Sequence, residues 1–307
     1  MSRVALSYTG HQALLLQKTS YNSNTNRTRL VTNSHGTERT WNQAVMAPRP
    51  LSVVVPTYDE TDNLRPLTMR LFAATRKAGI ACDLLFADDE SPGSPASRAI
   101  VQALQQEGYA VRLETRARSQ GRGLSSAVLL GFARAAHETV VCMDADLQHE
   151  PESVPAVALP VLEGRADFSV GSRHVGGGGI GFAWSAVRVV ISSGATLLAR
   201  PLCASTDPMS GFFCTTKRVL ARGEPRPRGF KIGLEVMVRC RCTTVADVPI
   251  TFREREAGES KLSAKQNVEY VQQLAGLYWF AWRGEVLVVL VVALVLAAYG
   301  ASLVLSF

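Results

Sequence analysis

The run Val140-Val141-Cys142-Met143 is apolar and ends in Asp144-Ala145-Asp146, with Gln148 two residues further on. A strand of this kind carries two carboxylates to its C-terminal tip, with a third oxygen ligand close behind. Oxygen ligands suit a hard divalent cation, Mg2+ or Mn2+. A departing diphosphate needs such a cation, because negative charge grows on it as its bond breaks. The simpler alternative is an acidic turn; the buried strand ahead of the pair favours the metal.

A second acidic pair, Asp88-Asp89, closes another apolar run and is followed by Glu90-Ser91-Pro92-Gly93. A carboxylate there can accept from a nucleotide base or ribose hydroxyl, help to hold the metal, or simply cap a helix. Pro56, Tyr58 and Glu60 follow a third apolar run. Tyr58 can stack on a base or hydrogen-bond to it, and Glu60 can read the polar edge of that base. Anions gathered in this way need cations opposite them. The candidates are Arg173 in Gly171-Ser172-Arg173, Lys231 in Gly229-Phe230-Lys231, and Arg255 with Lys261 in a late charged loop. Each would otherwise be a solvated surface group. Gly121-Arg122-Gly123 opens a helix where backbone N–H groups can meet a phosphate, without the full spacing of a dinucleotide-binding turn or P-loop.

The elements that position these residues follow an alternating pattern. Strands are expected at 51–55, 83–87, 110–114, 139–143, 167–171, 211–215 and 244–252. Helices are expected near 62–78, 96–106, 124–136, 152–162 and 232–241. Alternation of this kind gives a mostly parallel sheet with helices on both faces, and such sheets bind ligands beyond the carboxyl ends of their strands. The acidic clusters fall at those ends. Residues 184–202 are mostly apolar but broken by Arg188 and Arg200, so they read as one or two helices in the core or at a membrane surface.

The chain has 307 residues, 47% of them hydrophobic, enough for one core and an accessory segment. Its net charge of +7 is concentrated in residues 1–50, where Lys18 and five arginines face Glu38 alone. No stripe of basic and aromatic residues continues it, which argues against a nucleic-acid partner. Residues 1–49 are rich in Ser, Thr, Asn and Gln and are expected to be a disordered extension. The six cysteines lack paired spacing and read as buried thiols. The first 30 residues lack the order of a secretory signal. From Val286 to Phe307 there are 22 residues without a charge, long enough for one helical membrane span. The expected organisation is therefore an extension over 1–49, a catalytic domain over 50–263, a juxtamembrane helix over 264–284 and an anchor over 285–307.

Taken together the pieces resemble the dolichyl-phosphate mannose synthases, within family 2 of the inverting GT-A glycosyltransferases. They are Val55-Pro56-Thr57-Tyr58-Asp59-Glu60, Asp88-Asp89-Glu90-Ser91-Pro92, Gly123-Leu124-Ser125-Ser126-Ala127, Asp144-Ala145-Asp146-Leu147-Gln148-His149, Gly171-Ser172-Arg173, Asp207-Pro208-Met209-Ser210-Gly211-Phe212-Phe213, Gly229-Phe230-Lys231 and residues 255–262. The resemblance implies an α/β, GT-A Rossmann-like fold with a C-terminal transmembrane helix. It implies that Asp144, Asp146 and Gln148 bind Mg2+ or Mn2+. Pro56, Tyr58, Glu60 and Asp89 would hold the guanosine part of GDP-mannose, with Ala145 nearby and Ala87 where the family usually has Val. Arg173, Lys231, Arg255 and Lys261 would contact donor or acceptor phosphates, and Asp207 is a candidate base. The acceptor would be dolichyl or another polyprenyl phosphate, drawn from a lipid bilayer, with no obligatory anchoring subunit. The expected place is the cytosolic face of the endoplasmic reticulum membrane, or the plasma membrane in a prokaryote. A glucosyl donor carrying uridine, a nucleotidyltransferase on a similar sheet, and an inactive tethered subunit are the rival readings.

Overall fold

A computed structural model describes residues 29–32, 38–41, 50–117, 119, 121–181, 186–226, 229–254 and 266–285. The chain divides into two units, Met1–Ala47 and Pro48–Phe307. In the first, β1 (Arg29–Thr32) pairs antiparallel with β2 (Glu38–Trp41), Arg29 opposite Trp41. This pair lies within residues 1–49, the stretch expected to be a disordered extension. Val31, Thr32 and Thr40 are β-branched, and the polar segment between the strands, which includes Asn33 and Gly36, has turn composition.

The second unit opens with β3 (Leu51–Thr57), α1 (Thr61–Lys77), β4 (Cys82–Asp88), α2 (Ser94–Gln106), β5 (Val111–Thr115), α3 (Leu124–Arg134) and β6 (Thr139–Cys142). It continues through α4 (Val154–Leu162), β7 (Phe168–Ser172), β8 (Gly179–Ile180), α5 (Ala186–Ala199) and β9 (Phe213–Thr216). Then come α6 (Lys217–Leu220), α7 (Ile232–Arg239), β10 (Val245–Pro249), β11 (Thr251–Phe252) and α8, residues 266–285. Seven strands form one sheet in the order β10-β7-β9-β6-β3-β4-β5. All neighbours run parallel except β9, which is antiparallel to both β6 and β7.

The period-2 alternation of β3 divides the core. Leu51, Val53 and Val55 pack with Leu64, Leu67 and Leu71 of α1, Val101 and Leu104 of α2, and Val154 and Val157 of α4. Val54 points the other way, into a layer with Val128 and Phe132 of α3, Leu234 and Val236 of α7, and Tyr270, Leu274 and Leu277 of α8. Coverage on both faces explains why the central strands are almost purely apolar. At Gly131 a Cβ would sit 2.3 Å from a methyl of Val54, so glycine sets how closely α3 approaches the sheet.

The expected helical stretch at 184–202 is observed as α5 followed by a 3-10 turn over Arg200–Leu202. Tyr270 and Tyr278 of α8 donate to the carbonyls of Ala195 and Leu198 at 2.7 Å each, joining α8 to α5. No helix among the described residues is long and apolar enough to cross a membrane. The span expected over 285–307 falls, from residue 286 onward, outside the described residues.

Candidate active site

Three adjacent strand tips build the site. β3 is followed by Tyr58 and Asp59, β4 by Asp89 and Glu90, and β6 by Asp144, Asp146 and Leu147. Asp59 (φ 61°), Glu90 (φ 49°) and Leu147 (φ 60°) are left-handed without being glycine. Each such residue costs on the order of 1 kcal/mol and persists only where its surroundings enforce it. The order β6-β3-β4 sets the three tips in a row along one edge of the sheet.

A cleft of about 530 Å3 runs over these tips. Pro56, Tyr58, Glu60, Asp89, Asp144, Ala145 and Asp146 line one side; Arg122 to Leu124, Gly229 to Lys231, and Gln266 and Glu269 of α8 line the rest. A second cavity of about 160 Å3 adjoins it, lined by His149, Arg173, Ser210, Gly211 and Phe252 among others. Asp144 and Lys231 line both.

Asp88, the last residue of β4, and Asp89, just past it, have different surroundings. Asp88 accepts from Ser91 Oγ at 3.0 Å, from Thr57 Oγ1 at 3.4 Å and from Ser94 Oγ, closing the turn into α2. Asp89 faces the cleft. Its Oδ1 accepts from Arg116 Nε at 2.7 Å, and its Oδ2 accepts from the Gly123 backbone N–H at 2.7 Å. Arg116, itself buried, also donates to Ser126 Oγ at 2.6 Å. Arg116 is a site residue that the sequence reading missed; its position directly after β5, one strand from Asp89, was the available signal.

Asp144 and Asp146 converge on the cleft as expected. Asp146 Oδ1 accepts from the Gln148 backbone N–H at 3.2 Å. The Gln148 side chain donates from Nε2 to the Arg253 carbonyl at 3.0 Å, while Arg253 N–H donates to the Gln148 carbonyl at 2.9 Å. Gln148 thus ties the strand tip to the start of the late loop. Among the described residues no group of three His, Cys, Asp or Glu side chains is placed to hold a metal. Two carboxylates suit a hard cation whose remaining ligands come from a diphosphate and water, so the donor set fits a nucleotide-bound Mg2+ or Mn2+.

His149 is buried between Phe212 and Phe252, with ring centroids 5.3 and 5.2 Å away. Burial lowers its pKa to about 4, so it is neutral near pH 7, and its Nδ1 accepts from the Asp144 backbone N–H at 3.4 Å. A Cβ on Gly211 would lie 3.1 and 3.2 Å from the two carboxylate oxygens of Asp144. His149 and Gly211 therefore fix how Asp144 enters the site, and neither was singled out as a functional residue from the sequence.

Arg173 donates from Nε and a terminal nitrogen to the two oxygens of Asp207 at 2.7 and 2.8 Å, and its backbone N–H adds a third bond at 3.1 Å. Burial works to raise the Asp207 pKa, but the Arg173 guanidinium outweighs it and holds the carboxyl below its ordinary range. Asp207 is fully buried, lines neither cavity and acts as the counter-ion that aims Arg173. Lys231 Nζ donates to the Met209 carbonyl at 2.8 Å. Burial, reinforced by Arg173, lowers its pKa to about 8, against the opposing pull of Asp144 and Asp207. Behind Lys231, Gln273 Nε2 donates to the Lys231 carbonyl at 3.2 Å and to Glu235 at 3.0 Å, so α8 supports the loop that carries this lysine.

Of the other expected residues, Ala87 is buried inside β4 beside Pro56 and lines neither cavity. Arg255 and Lys261 lie outside the described residues. Gln266 and Glu269 had no sequence signal, because they come from a helix read only as a lead-in to the span.

Residues 52–222 match the family model described as glycosyl transferase family 2. The chain is 44% identical over 264 residues to a dolichol-phosphate mannosyltransferase of Mycosarcoma maydis, covering 83% of this chain and 88% of the relative. It is 43% identical over 249 residues to a dolichol-phosphate mannosyltransferase of Saccharomyces cerevisiae, covering 78% of this chain and 91% of the relative. Among solved structures, the fold is similar to glucosyl-3-phosphoglycerate synthase from Mycobacterium tuberculosis in complex with Mn2+, UDP-glucose and glycerol 3-phosphate. That likeness has a TM-score of 0.51 at 19% identity, over 78% of this chain and 82% of the other.

Proposed function

The chain belongs to glycosyl transferase family 2, and from that premise we propose that it moves mannose from GDP-mannose to dolichyl or another polyprenyl phosphate with inversion. It is a glycosyltransferase. The observation that carries the finer reading is the place of Asp144 between two cavities. The larger has carboxylates for a nucleotide-bound cation, and the smaller is lined by Arg173 and Lys231 for a second phosphate.

In the proposed step an oxygen of the acceptor phosphate attacks the anomeric carbon from the face opposite the diphosphate. The new carbon–oxygen bond forms as the sugar–diphosphate bond breaks, and its electron pair leaves on GDP. A phosphate monoester with a second pKa near 6 is already mostly dianionic at neutral pH, so no general base is required. This agrees with the engagement of Asp207 by Arg173. Mg2+ or Mn2+ held by Asp144 and Asp146 would supply neutralising charge for the departing diphosphate. Arg173 and Lys231 hold the acceptor phosphate, which would otherwise be repelled by the donor. The direct test is transfer of labelled sugar to dolichyl phosphate from GDP-mannose and, separately, from UDP-glucose. Labelling from GDP-mannose alone is expected; labelling from UDP-glucose alone would overturn the donor.

Membrane anchorage through residues 286–307, on the cytosolic face of the endoplasmic reticulum, belongs to the same proposal. Its support is the uncharged run of 22 residues. A variant lacking that run is expected in the soluble fraction, and retention in membranes would count against the anchor.

Gly211→Ala should press on the Asp144 carboxylate, which must shift by a few tenths of an ångström. Small misplacements at a reacting centre cost about tenfold or more in rate. The expected result is that loss in kcat/KM and a higher metal requirement, with thermal stability unchanged.

Lys231 gives a pH signature. Its folded pKa of about 8 lies below the ordinary 10.5, so keeping it charged costs stability below pH 8, and the cost is relieved as pH rises from there. Its charge is lost over the same window. For the free enzyme kcat/KM should therefore fall as pH rises through about 8. Lys231→Arg should remove this basic limb whatever its effect on the plateau, because arginine stays charged.

A further inference from the structure

Arg122 is carried into the cleft by a short loop with left-handed glycines on either side, Gly121 (φ 94°) and Gly123 (φ 115°). Its guanidinium lies 5.7 Å from the centroid of the Tyr58 ring. The loop is pinned at its far end by the bond from Gly123 N–H to Asp89. Arg122 itself is exposed within the cleft.

The row of strand tips says which end of a nucleotide it meets. The metal-binding carboxylates Asp144 and Asp146 follow β6, whereas Tyr58 and Glu60 follow β3, and Asp89 follows β4. Strands are spaced by about 4.8 Å, so the β4 tip is about 10 Å from the β6 tip. A diphosphate held at β6 therefore directs its nucleoside toward Tyr58, Asp89 and Arg122. Beside Tyr58 the cleft offers the carboxylates of Glu60 and Asp89, the latter already bonded to Arg116 and the Gly123 N–H, and the guanidinium of Arg122. Guanine has a matching division: the amino donor lies on one edge, and O6 and N7 form adjacent acceptors on another. A guanidinium presents its N–H donors in a fixed fork that fits two adjacent acceptors. Uracil has no such adjacent pair.

We infer that Arg122 is a specificity-determining residue that reads the O6 and N7 edge of the donor's guanine. The inference rests on the guanosine donor proposed above. A bidentate contact of this type separates right from wrong base by roughly 10- to 100-fold. Tyr58 supplies the stacking surface, and the two glycines let the loop present Arg122 without burying it.

The test is calorimetric binding of GDP and UDP to the full chain in the presence of Mg2+, for the wild type, Arg122→Ala and Arg122→Lys. The wild type is expected to prefer GDP. Arg122→Ala should weaken GDP by about tenfold or more and leave UDP within about twofold. Arg122→Lys keeps the charge but loses the fork, so it should lose the guanine preference as well. Equal weakening of GDP and UDP would show a phosphate contact and overturn the inference, as would a GDP preference that survives in both variants. A wild type that prefers UDP would overturn the guanosine donor itself and this inference with it, and that result is visible before any variant is made.

Discussion

Asp146→Ala is expected to reduce sugar transfer by about a thousandfold or more, a loss of roughly 4 kcal/mol in transition-state stabilisation. The protein should remain folded. Asp146 faces the cleft and accepts from the Gln148 N–H, in a turn already set by Leu147 at φ 60°. It lines the same cleft as Asp144, so its removal takes one of two like charges out of that cleft when no cation is bound. Thermal stability without metal should therefore hold or rise slightly, whereas the stabilisation expected of GDP with Mn2+ in the wild type should be absent from the variant. Unchanged turnover in a folded variant would remove Asp146 from the metal site. Asp144→Asn should be comparably inactive.

Asp207→Asn is the second large effect, and it separates two roles. A positioning aspartate holds Arg173; a general base would take a proton from the acceptor. Replacement by asparagine takes from a largely buried guanidinium the carboxylate that grips it through two side-chain bonds, a change that typically costs about 3–5 kcal/mol. For a domain of this size, a loss at the lower end lowers Tm by roughly 6–12 °C. Activity should fall about a hundredfold, chiefly through a higher KM for the acceptor, as Arg173 loses its aim. Loss of kcat at unchanged Tm, with disappearance of an acidic limb from the pH profile, would instead identify Asp207 as the base.

Much of this was legible in the sequence, for a physical reason. Strands covered on both faces must be apolar throughout, so β3, β4 and β6 announce themselves and the polar residues at their tips stand out. Direction is harder to read. β9 runs against its neighbours because the chain enters it through the turn at Asp207–Phe212, and four apolar or small residues carry no sign of orientation. α6, with four residues, is too short for any helical period, and its Thr216 cap on Val219 N–H is a local bond that composition alone does not single out. The separate environments of Asp88 and Asp89 arise at the end of β4, where Asp88 is the last strand residue and Asp89 the first beyond it. Which of the two reaches the ligand depends on the Ser91, Ser94 and Arg116 partners, and those are tertiary facts. Gln266 and Glu269 were missed for the same reason: each meets the site from a distant part of the chain.

Asp59, Glu90 and Leu147 bear on how this enzyme would respond to selection for heat resistance alone. Asp59→Gly and Glu90→Gly would relieve left-handed strain at exposed positions, so each is a natural early winner in a thermal screen. Both sit where stiffness of the strand tips defines the cleft. Heat-selected lineages that accept glycine there should drift toward slower turnover, and the opposing demands of durability and throughput would meet at these few turns.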